Sequence, residues 1–122
     1  PYRRAGRRDP IIVEGPDIRL TPKQGLGLAL ILHELATNAS KYGALSTDGG
    51  SLRLTWSREQ SGEGKHVHLI WTERGGPKVK EKAADGFGTK LIKQACSYEL
   101  DGSGELLFDA EGLVAKIVFP IE

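Results

Sequence analysis

The feature that most constrains the fold is one long helix that the sequence predicts from Thr21 to about Tyr42. Thr21 can cap its N-terminus, Pro22 suits the first helical position, and Gln24 follows at the spacing of a capping box. Gly43 is predicted to end the helix in the left-handed conformation. Apolar residues recur at helical spacing along one face, which is therefore predicted to be buried. They are Leu28, Leu32, Leu35, Ala39 and Tyr42.

A neighbouring face of this helix is polar, and its residues suit metal and phosphate chemistry. Glu34, Asn38 and Lys41 are spaced i, i+4 and i+7, so they project from the same side. Carboxylate and amide oxygens are ligands for magnesium, and an ammonium pairs with phosphate. On spacing alone, a solvent-exposed face is the commoner explanation of such a triplet.

The rest of the chain predicts a sheet and a second helix. The predicted order is strands at 11–13 and 18–20, the long helix, a hairpin of strands at 52–57 and 66–73, a helix from 88 or 89 to 100, and strands at 105–108 and 113–119. The second helix is predicted to bury Leu91, Ile92, Ala95 and Tyr98. Consecutive hairpins pair antiparallel, and two amphipathic helices can cover one face of a sheet. The sequence therefore predicts an α+β fold, a two-layer α/β sandwich with a mostly antiparallel mixed sheet.

Two further stretches carry candidate ligand-binding residues. Glu73 is a carboxylate at a strand end followed by glycines, so it can accept a hydrogen bond from a ligand amine while a flat ring approaches the backbone. The run from Gly86 to Gly88 precedes the second helix, where backbone N–H groups suit an anion, and the first turn holds Thr89 and Lys90 but no acidic residue. Taken singly, each stretch is as typical of a plain turn.

Composition excludes several classes of function. The net charge of +1 gives no bulk electrostatic basis for nucleic-acid binding, and the arginines at 3–8 are interpreted as a solvated arm. The single Cys96 excludes an internal disulfide. No apolar run approaches the ~20 residues that span a bilayer. The three histidines complete no metal-ligand set. We expect one domain over residues 1–122, cytoplasmic and without membrane contact.

Taken together and in order, these stretches resemble the ATP-binding catalytic domain of sensor histidine kinases of the HWE branch. HELATNASKYGALS resembles its N box, WTERGGPKV its G1 box and GFGTKLI its G2 box. The branch is named for a His and a Trp-x-Glu, which here are His33, Trp71 and Glu73. The resemblance covers roughly residues 10–120 and implies the Bergerat-type fold of the GHKL superfamily.

The resemblance implies a role for each matching residue. Asn38 would coordinate the magnesium that bridges the phosphates of ATP, Glu34 would lie near the metal or act as a base, and Lys41 would contact phosphate. These three would be the catalytic residues. Tyr42 would line the nucleotide pocket, and Glu73 would recognise the adenine amine. The other implied cofactor-binding residues are Gly75, Gly86, Phe87, Gly88 and Thr89, and residues 74–86 would form the ATP lid.

The sequence departs from the family pattern in three places. The G1 box reads ERGGP where Asp-x-Gly-x-Gly is usual, so Glu73 is longer by a methylene and the glycines are spaced differently. No separate F box is present, although Phe87 is a counterpart, and GLV stands where a Thr often precedes the last strand. No histidine lies in a phosphoacceptor context. We therefore expect the acceptor and dimerisation segment upstream of Pro1, in a longer protein.

The resemblance implies a protein histidine kinase that uses Mg-ATP in two-component signalling. The γ-phosphate would go to a histidine on another segment of the same protein or its dimer mate, with a response regulator downstream. Two alternatives remain. One is a nucleotide-binding or protein-interaction module without kinase activity, which the altered G1 box suggests. The other is a gyrase- or Hsp90-like ATPase, which Glu34 in the base position suggests.

Overall fold

The structure is a computed structural model, and it describes residues 11–77 and 88–122. Within these ranges the elements are β1 (Ile11–Glu14), α1 (Pro22–Lys41), a 3-10 turn (Ala44–Ser46), β2 (Ser51–Ser61), β3 (Gly64–Arg74), α2 (Thr89–Tyr98), β4 (Ser103–Asp109) and β5 (Gly112–Ile121). Neither described helix combines the length and the apolarity that a membrane span requires.

The described strands form one mixed sheet in the order β1-β2-β3-β5-β4. β1 runs parallel to β2, and the other three pairings are antiparallel. Alternate side chains of the sheet point inward and build the core with α1 and α2, which cover that face. The predicted fold class, a two-layer α/β sandwich with a mostly antiparallel mixed sheet, is confirmed.

α1 begins as predicted, but its buried face is displaced. Thr21 and Gln24 form the capping box, with both side chain–backbone hydrogen bonds at 3.1 Å. The predicted face is wrong at Tyr42, which is 45% exposed. The fully buried residues are Gly27, Ile31, Leu35 and Ala39. The buried face of α1 is directed toward the end of α2. Gly27 lies so close to Glu99, the C-cap of α2, that a side chain at Gly27 would overlap Glu99.

The segment at 18–20 and one face of α2 also differ from the sequence prediction. Residues 18–20 form no strand, because the Trp56 indole donates a hydrogen bond of 2.6 Å to the Pro16 carbonyl and holds this segment on β2 in an irregular conformation. On α2, Leu91 is 40% and Tyr98 is 71% exposed, whereas Cys96 is buried. The helix turns Cys96 inward because Gly104 of β4 leaves room for its sulfur.

The buried thiol of Cys96 is expected to make the domain less stable at alkaline pH. Burial raises the pKa of Cys96 from its ordinary value of 9.0 to about 11. Because the folded-state pKa is higher than the unfolded value, the contribution of the Cys96 thiol to the free energy of unfolding is complete below pH 9. It is lost as the pH rises toward 11. A difference of this size corresponds to about 3 kcal/mol. Urea unfolding at pH 7, 9 and 11 should show this loss in the native chain and not in Cys96→Ala. Parallel pH profiles for the two proteins would contradict it.

Glu99 offers a stabilising substitution. Its Oε2 is buried without a hydrogen-bond partner among the described residues. Glu99 is also the C-cap of α2, where the helix dipole disfavours a negative charge. Glu99→Gln is expected to raise the free energy of unfolding by about 1 kcal/mol. The control Glu63→Gln, at the exposed β2–β3 turn, should change it by less than ~0.5 kcal/mol. A loss of stability in Glu99→Gln alone would count against this account.

Candidate functional site

A cleft lies between α1 and α2, above the sheet where β3 ends and β5 begins. Its apolar walls are formed by Leu35, Ile92, Leu106, Phe108 and Leu113, and its polar lining residues are Asn38, Tyr42, Glu73 and Thr89. Within the described lining, Glu73 is the one charged side chain. The cavity volume is about 20 Å³, which is room for about one water molecule. The cleft is therefore a narrow apolar slot with one carboxylate in its wall.

The Glu73 carboxylate is held by two donors from different parts of the chain. Glu73 is 3% exposed, near the end of β3. The indole Nε1 of Trp71 donates to Oε2 at 2.8 Å, and the backbone N–H of Ala44 donates to Oε1 at 3.0 Å. Trp71 and Glu73 are two residues apart on one strand, so both side chains point to the core face. An ionised carboxylate has about four acceptor positions, which leaves about two for a ligand.

Gly43 makes room for this carboxylate. A side chain at Gly43 would overlap Oε1 of Glu73, and its Cβ would come within 3.1 Å of the Ala39 Cα. The φ of Gly43 is −110°, so the predicted left-handed end of α1 is wrong. The need for glycine here is steric, because the backbone turns directly over the buried carboxylate.

Glu34 lies against the start of α2. A side chain at Gly88 would overlap the carboxylate of Glu34, and Gly88 is the N-cap of α2 with a φ of 76°. A carboxylate near a helix N-terminus interacts favourably with the helix dipole. The first turn of α2 carries no acidic residue of its own, so the carboxylate at this helix end comes from α1, which no local pattern in the sequence indicates.

The structure brings several of the predicted site residues together. Asn38 and Tyr42 reach the cleft from α1 and its C-cap, and Thr89 reaches it from the first residue of α2. Glu73 faces them from β3. Lys41 is exposed at the last residue of α1 and is not among the described residues that line the cleft.

The remaining predicted residues are elsewhere or are not described. A Cβ at Gly75 would lie 2.5 Å from the carbonyl oxygen of Gly49, and the Thr47 hydroxyl donates to the Gly75 carbonyl at 3.1 Å. The absence of a side chain at Gly75 thus serves packing between loops, and the described cleft lining does not include it. Gly86 and Phe87 lie outside the described residues, as do residues 78–85 of the expected lid.

Two contributors to the site were not predicted from the sequence. The indole of Trp71 and the backbone N–H of Ala44 both hold Glu73. The two-residue spacing of Trp71 and Glu73 on a predicted strand is a signal that could have shown the first. The second depends on how the turn after α1 folds back over β3, which no local pattern encodes.

A larger cavity of about 370 Å³ shares no lining residue with the cleft. It lies beside the irregular segment after β1, and its lining includes Ile18, Leu20, Leu28, Leu32 and Trp56. Asp17 is its one charged lining residue among those described. This cavity offers no set of converging polar groups, so the cleft at Glu73 is the candidate site despite its smaller volume.

The fold matches solved histidine kinase catalytic domains. The catalytic domain of histidine kinase ThkA gives a TM-score of 0.65 at 15% identity, over 90% of this chain and 76% of that one. The histidine kinase domain of the Erythrobacter litoralis EL346 blue-light activated histidine kinase gives 0.60 at 19% identity, over 93% of this chain and 52% of that one. At such identities the likeness concerns the fold alone. In its fold, the chain resembles the catalytic domains of histidine kinases.

The sequence relatives are more specific. Blue-light-activated histidine kinase 1 of Erythrobacter litoralis (strain HTCC2594) is 46% identical over 114 residues, which are 91% of this chain and 30% of that protein. The blue-light-activated histidine kinase of Brucella ovis is 38% identical over 112 residues, 91% of this chain and 23% of that protein. No protein-family model matches the chain. The chain thus spans less than a third of the length of these relatives.

Proposed function

We propose that this chain binds Mg-ATP in the cleft and acts as the catalytic domain of a sensor histidine kinase. The observation that carries the proposal is the buried Glu73 carboxylate in an apolar slot beside Asn38. In the intact protein, the γ-phosphate would pass to a histidine on another segment of the same protein or of its dimer mate. A response regulator would act downstream, as the solved complex of ThkA with the response regulator TrrA suggests.

The adenine end of the proposed site is the apolar slot. Leu35 of α1 and Ile92 of α2 stand on one side, and Leu106 of β4 contributes from the sheet. A flat ring is suited to such walls, and its exocyclic amine would donate to the free acceptor positions of Glu73. Because the cavity has room for about one water, we expect the walls to separate when the base binds.

The residues at the metal end fit magnesium. Glu34 and Asn38 are one turn apart on α1, and both are half-buried. Magnesium takes one or two protein oxygens and completes its shell with water and phosphate oxygens. In residues 11–77 and 88–122, no group of three or more His, Cys, Asp or Glu side chains could hold a metal. Because magnesium needs only one or two protein oxygens, we propose that Asn38 and Glu34 hold the ion together with the phosphates.

Catalysis would consist mainly of positioning and charge neutralisation. When bound, magnesium would offset the charge that develops on the transferred phosphoryl group. Asn38 would fix the phosphates, and Glu73 would fix the base at the other end of the cleft. Lys41 would have to fold back from its exposed position to contact phosphate. Glu34 has two possible roles, as a base or as the holder of a metal-bound water.

Calorimetry tests the proposed site directly. Titration of the domain with a non-hydrolysable ATP analogue and magnesium should release or absorb heat, and hydrogen exchange should show protection of residues 34–42. The control variant Glu63→Gln, at the β2–β3 turn, should bind equally well. If the titration showed no heat and residues 34–42 gained no protection, we would abandon the nucleotide site.

One alternative has a specific observation in its favour. Glu34 reaches the N-terminus of α2, where it could orient a water for hydrolysis as in a gyrase- or Hsp90-like ATPase. That function requires steady phosphate release by the chain that collapses in Glu34→Gln. A module without kinase activity would instead show nucleotide binding but no phosphotransfer in the full-length protein.

The hydrogen bond between Trp71 and Glu73 supports the proposed assignment to the HWE branch.

A further inference from the structure

We infer that Trp71 is a positioning residue: it fixes the Glu73 carboxylate for a purine that carries an amine at its 6-position. Selectivity for such a base would then depend on a residue that does not touch the base. This inference rests on the proposed nucleotide site. It adds the residue that orients the carboxylate for the base.

Trp71 acts through Glu73 because its own side chain is buried behind that carboxylate and does not line the described part of the cleft. Its side chain is 3% exposed and lies in the middle of the sheet, where Trp71 pairs in register with Leu54 of β2 and Ala115 of β5. It is not among the described residues that line the cleft. Its polar atom, the indole Nε1, donates to Oε2 of Glu73 at 2.8 Å.

The two donors on Glu73 restrict the carboxylate in different ways. Ala44 holds Oε1 through its backbone N–H at 3.0 Å, and Gly43 closes the space beside that oxygen. One donor alone lets the carboxylate rotate about its last side-chain bond, which has a broad rotational preference in Glu. A second donor on Oε2 removes that freedom. Glu has one more rotatable bond than Asp, so a Glu at this position has more need of the second donor.

The chemistry of the fixed carboxylate selects its ligand. An ionised carboxylate only accepts hydrogen bonds, so it requires a donor on the base. The 6-amine of adenine supplies one, whereas a 6-oxo purine presents an acceptor there and a 6-unsubstituted purine presents no polar group. A hydrogen bond to a charged group corresponds to an affinity difference on the order of 10- to 100-fold. Without the Trp71 donor, part of that difference should be lost.

Nucleotide competition can measure this coupling. Affinities of ATP, inosine triphosphate and purine riboside triphosphate are measured with magnesium, by displacement of an ADP that is fluorescently labelled on its ribose. The native domain should prefer ATP over the 6-unsubstituted nucleotide by about 10- to 100-fold. In Trp71→Phe this ratio should fall at least about fivefold, while affinity for the 6-unsubstituted nucleotide changes by less than about twofold.

The matched control is Trp56→Phe on β2. Its indole also donates to a single acceptor, the Pro16 carbonyl, but Trp56 does not line the cleft. In Trp56→Phe, the preference for ATP over the 6-unsubstituted nucleotide should equal that of the native domain. If Trp71→Phe fails to fold, benzothienylalanine at position 71 replaces the indole N–H by sulfur at nearly unchanged shape, and the same loss of ratio is expected.

The outcomes separate this inference from the function on which it rests. If no nucleotide binds the native domain, the proposed function fails. If the native domain binds all three nucleotides equally, the contact between Glu73 and the base fails. An unchanged ratio in both position-71 variants, or equal weakening of all three nucleotides, would overturn the role of Trp71 and leave the nucleotide site standing.

Discussion

Glu73→Ala should lower the free energy of unfolding by about 3–5 kcal/mol, a large part of the stability of a small domain. The substitution removes the acceptor of two buried donors, the Trp71 indole N–H and the Ala44 backbone N–H. Each donor left unsatisfied costs about 1–3 kcal/mol. A cavity beside Gly43 adds to the loss. Urea unfolding of the native chain and the variant measures the difference.

Two further variants control this prediction. Glu73→Gln keeps the volume and one oxygen, so it should lose about half as much as Glu73→Ala. Glu111→Ala removes an exposed carboxylate whose contact with Arg74 spans 3.4 Å, and it should lose less than ~1 kcal/mol. Equal losses in Glu73→Ala and Glu111→Ala would mean that the buried hydrogen bonds of Glu73 contribute nothing to stability.

Asn38→Ala in the full-length protein should reduce phosphotransfer from ATP by at least about 100-fold. A metal ion contributes several kcal/mol of charge stabilisation in phosphoryl transfer, and each ~1.4 kcal/mol is tenfold in rate. The fold should survive, because the backbone carbonyl of Asn38 still accepts from the N–H groups of Tyr42 and Gly43, at 2.8 and 3.0 Å. A radiolabelled transfer assay with varied magnesium measures the effect.

The controls for this prediction lie on the same pair of helices. Asn38→Asp keeps an oxygen at the site, so it should retain part of the activity with an altered magnesium requirement. Lys93→Ala, at an exposed position of α2, should transfer phosphate at the native rate. Full phosphotransfer activity in Asn38→Ala would show that this residue does not hold the metal. It would also indicate that phosphotransfer takes place outside this cleft.

Local signals predicted the elements better than the faces they bury. The capping box at Thr21 and the alternation around Trp56 lie within a few residues, so the start of α1 and the existence of the β2–β3 hairpin were predicted. The hairpin strands are longer than predicted, because β2 continues to Ser61 and β3 begins at Gly64. The exposure of Tyr98 depends on where α2 meets β4, which is set by residues distant in sequence. The missing strand at 18–20 has the same kind of cause, because the bond from Trp56 to Pro16 joins residues 40 apart.

In the candidate site too, some features follow from local sequence motifs and others depend on contacts between residues distant in sequence. The order of the three motifs was enough to select Asn38, Glu73 and Thr89, which line the cleft. The contact of Glu34 with Gly88 and the support of Glu73 by Ala44 arise only when α1, α2 and β3 converge. The roles of all these residues toward a ligand stay predictions, and so do those of Gly86 and Phe87.

The parallel strand β1 is expected to separate from the sheet more easily than the antiparallel hairpin strands separate from each other. The 36 residues at 15–50 separate β1 from its partner, whereas two residues at 62–63 join β2 to β3. Closing the longer loop costs about 2–3 kcal/mol more in chain entropy. β1 is also a four-residue strand at the sheet edge with a single partner among the described strands, so we expect it to detach early during local unfolding. Because it forms the edge opposite β4, a breathing motion there leaves the strands beneath the cleft paired.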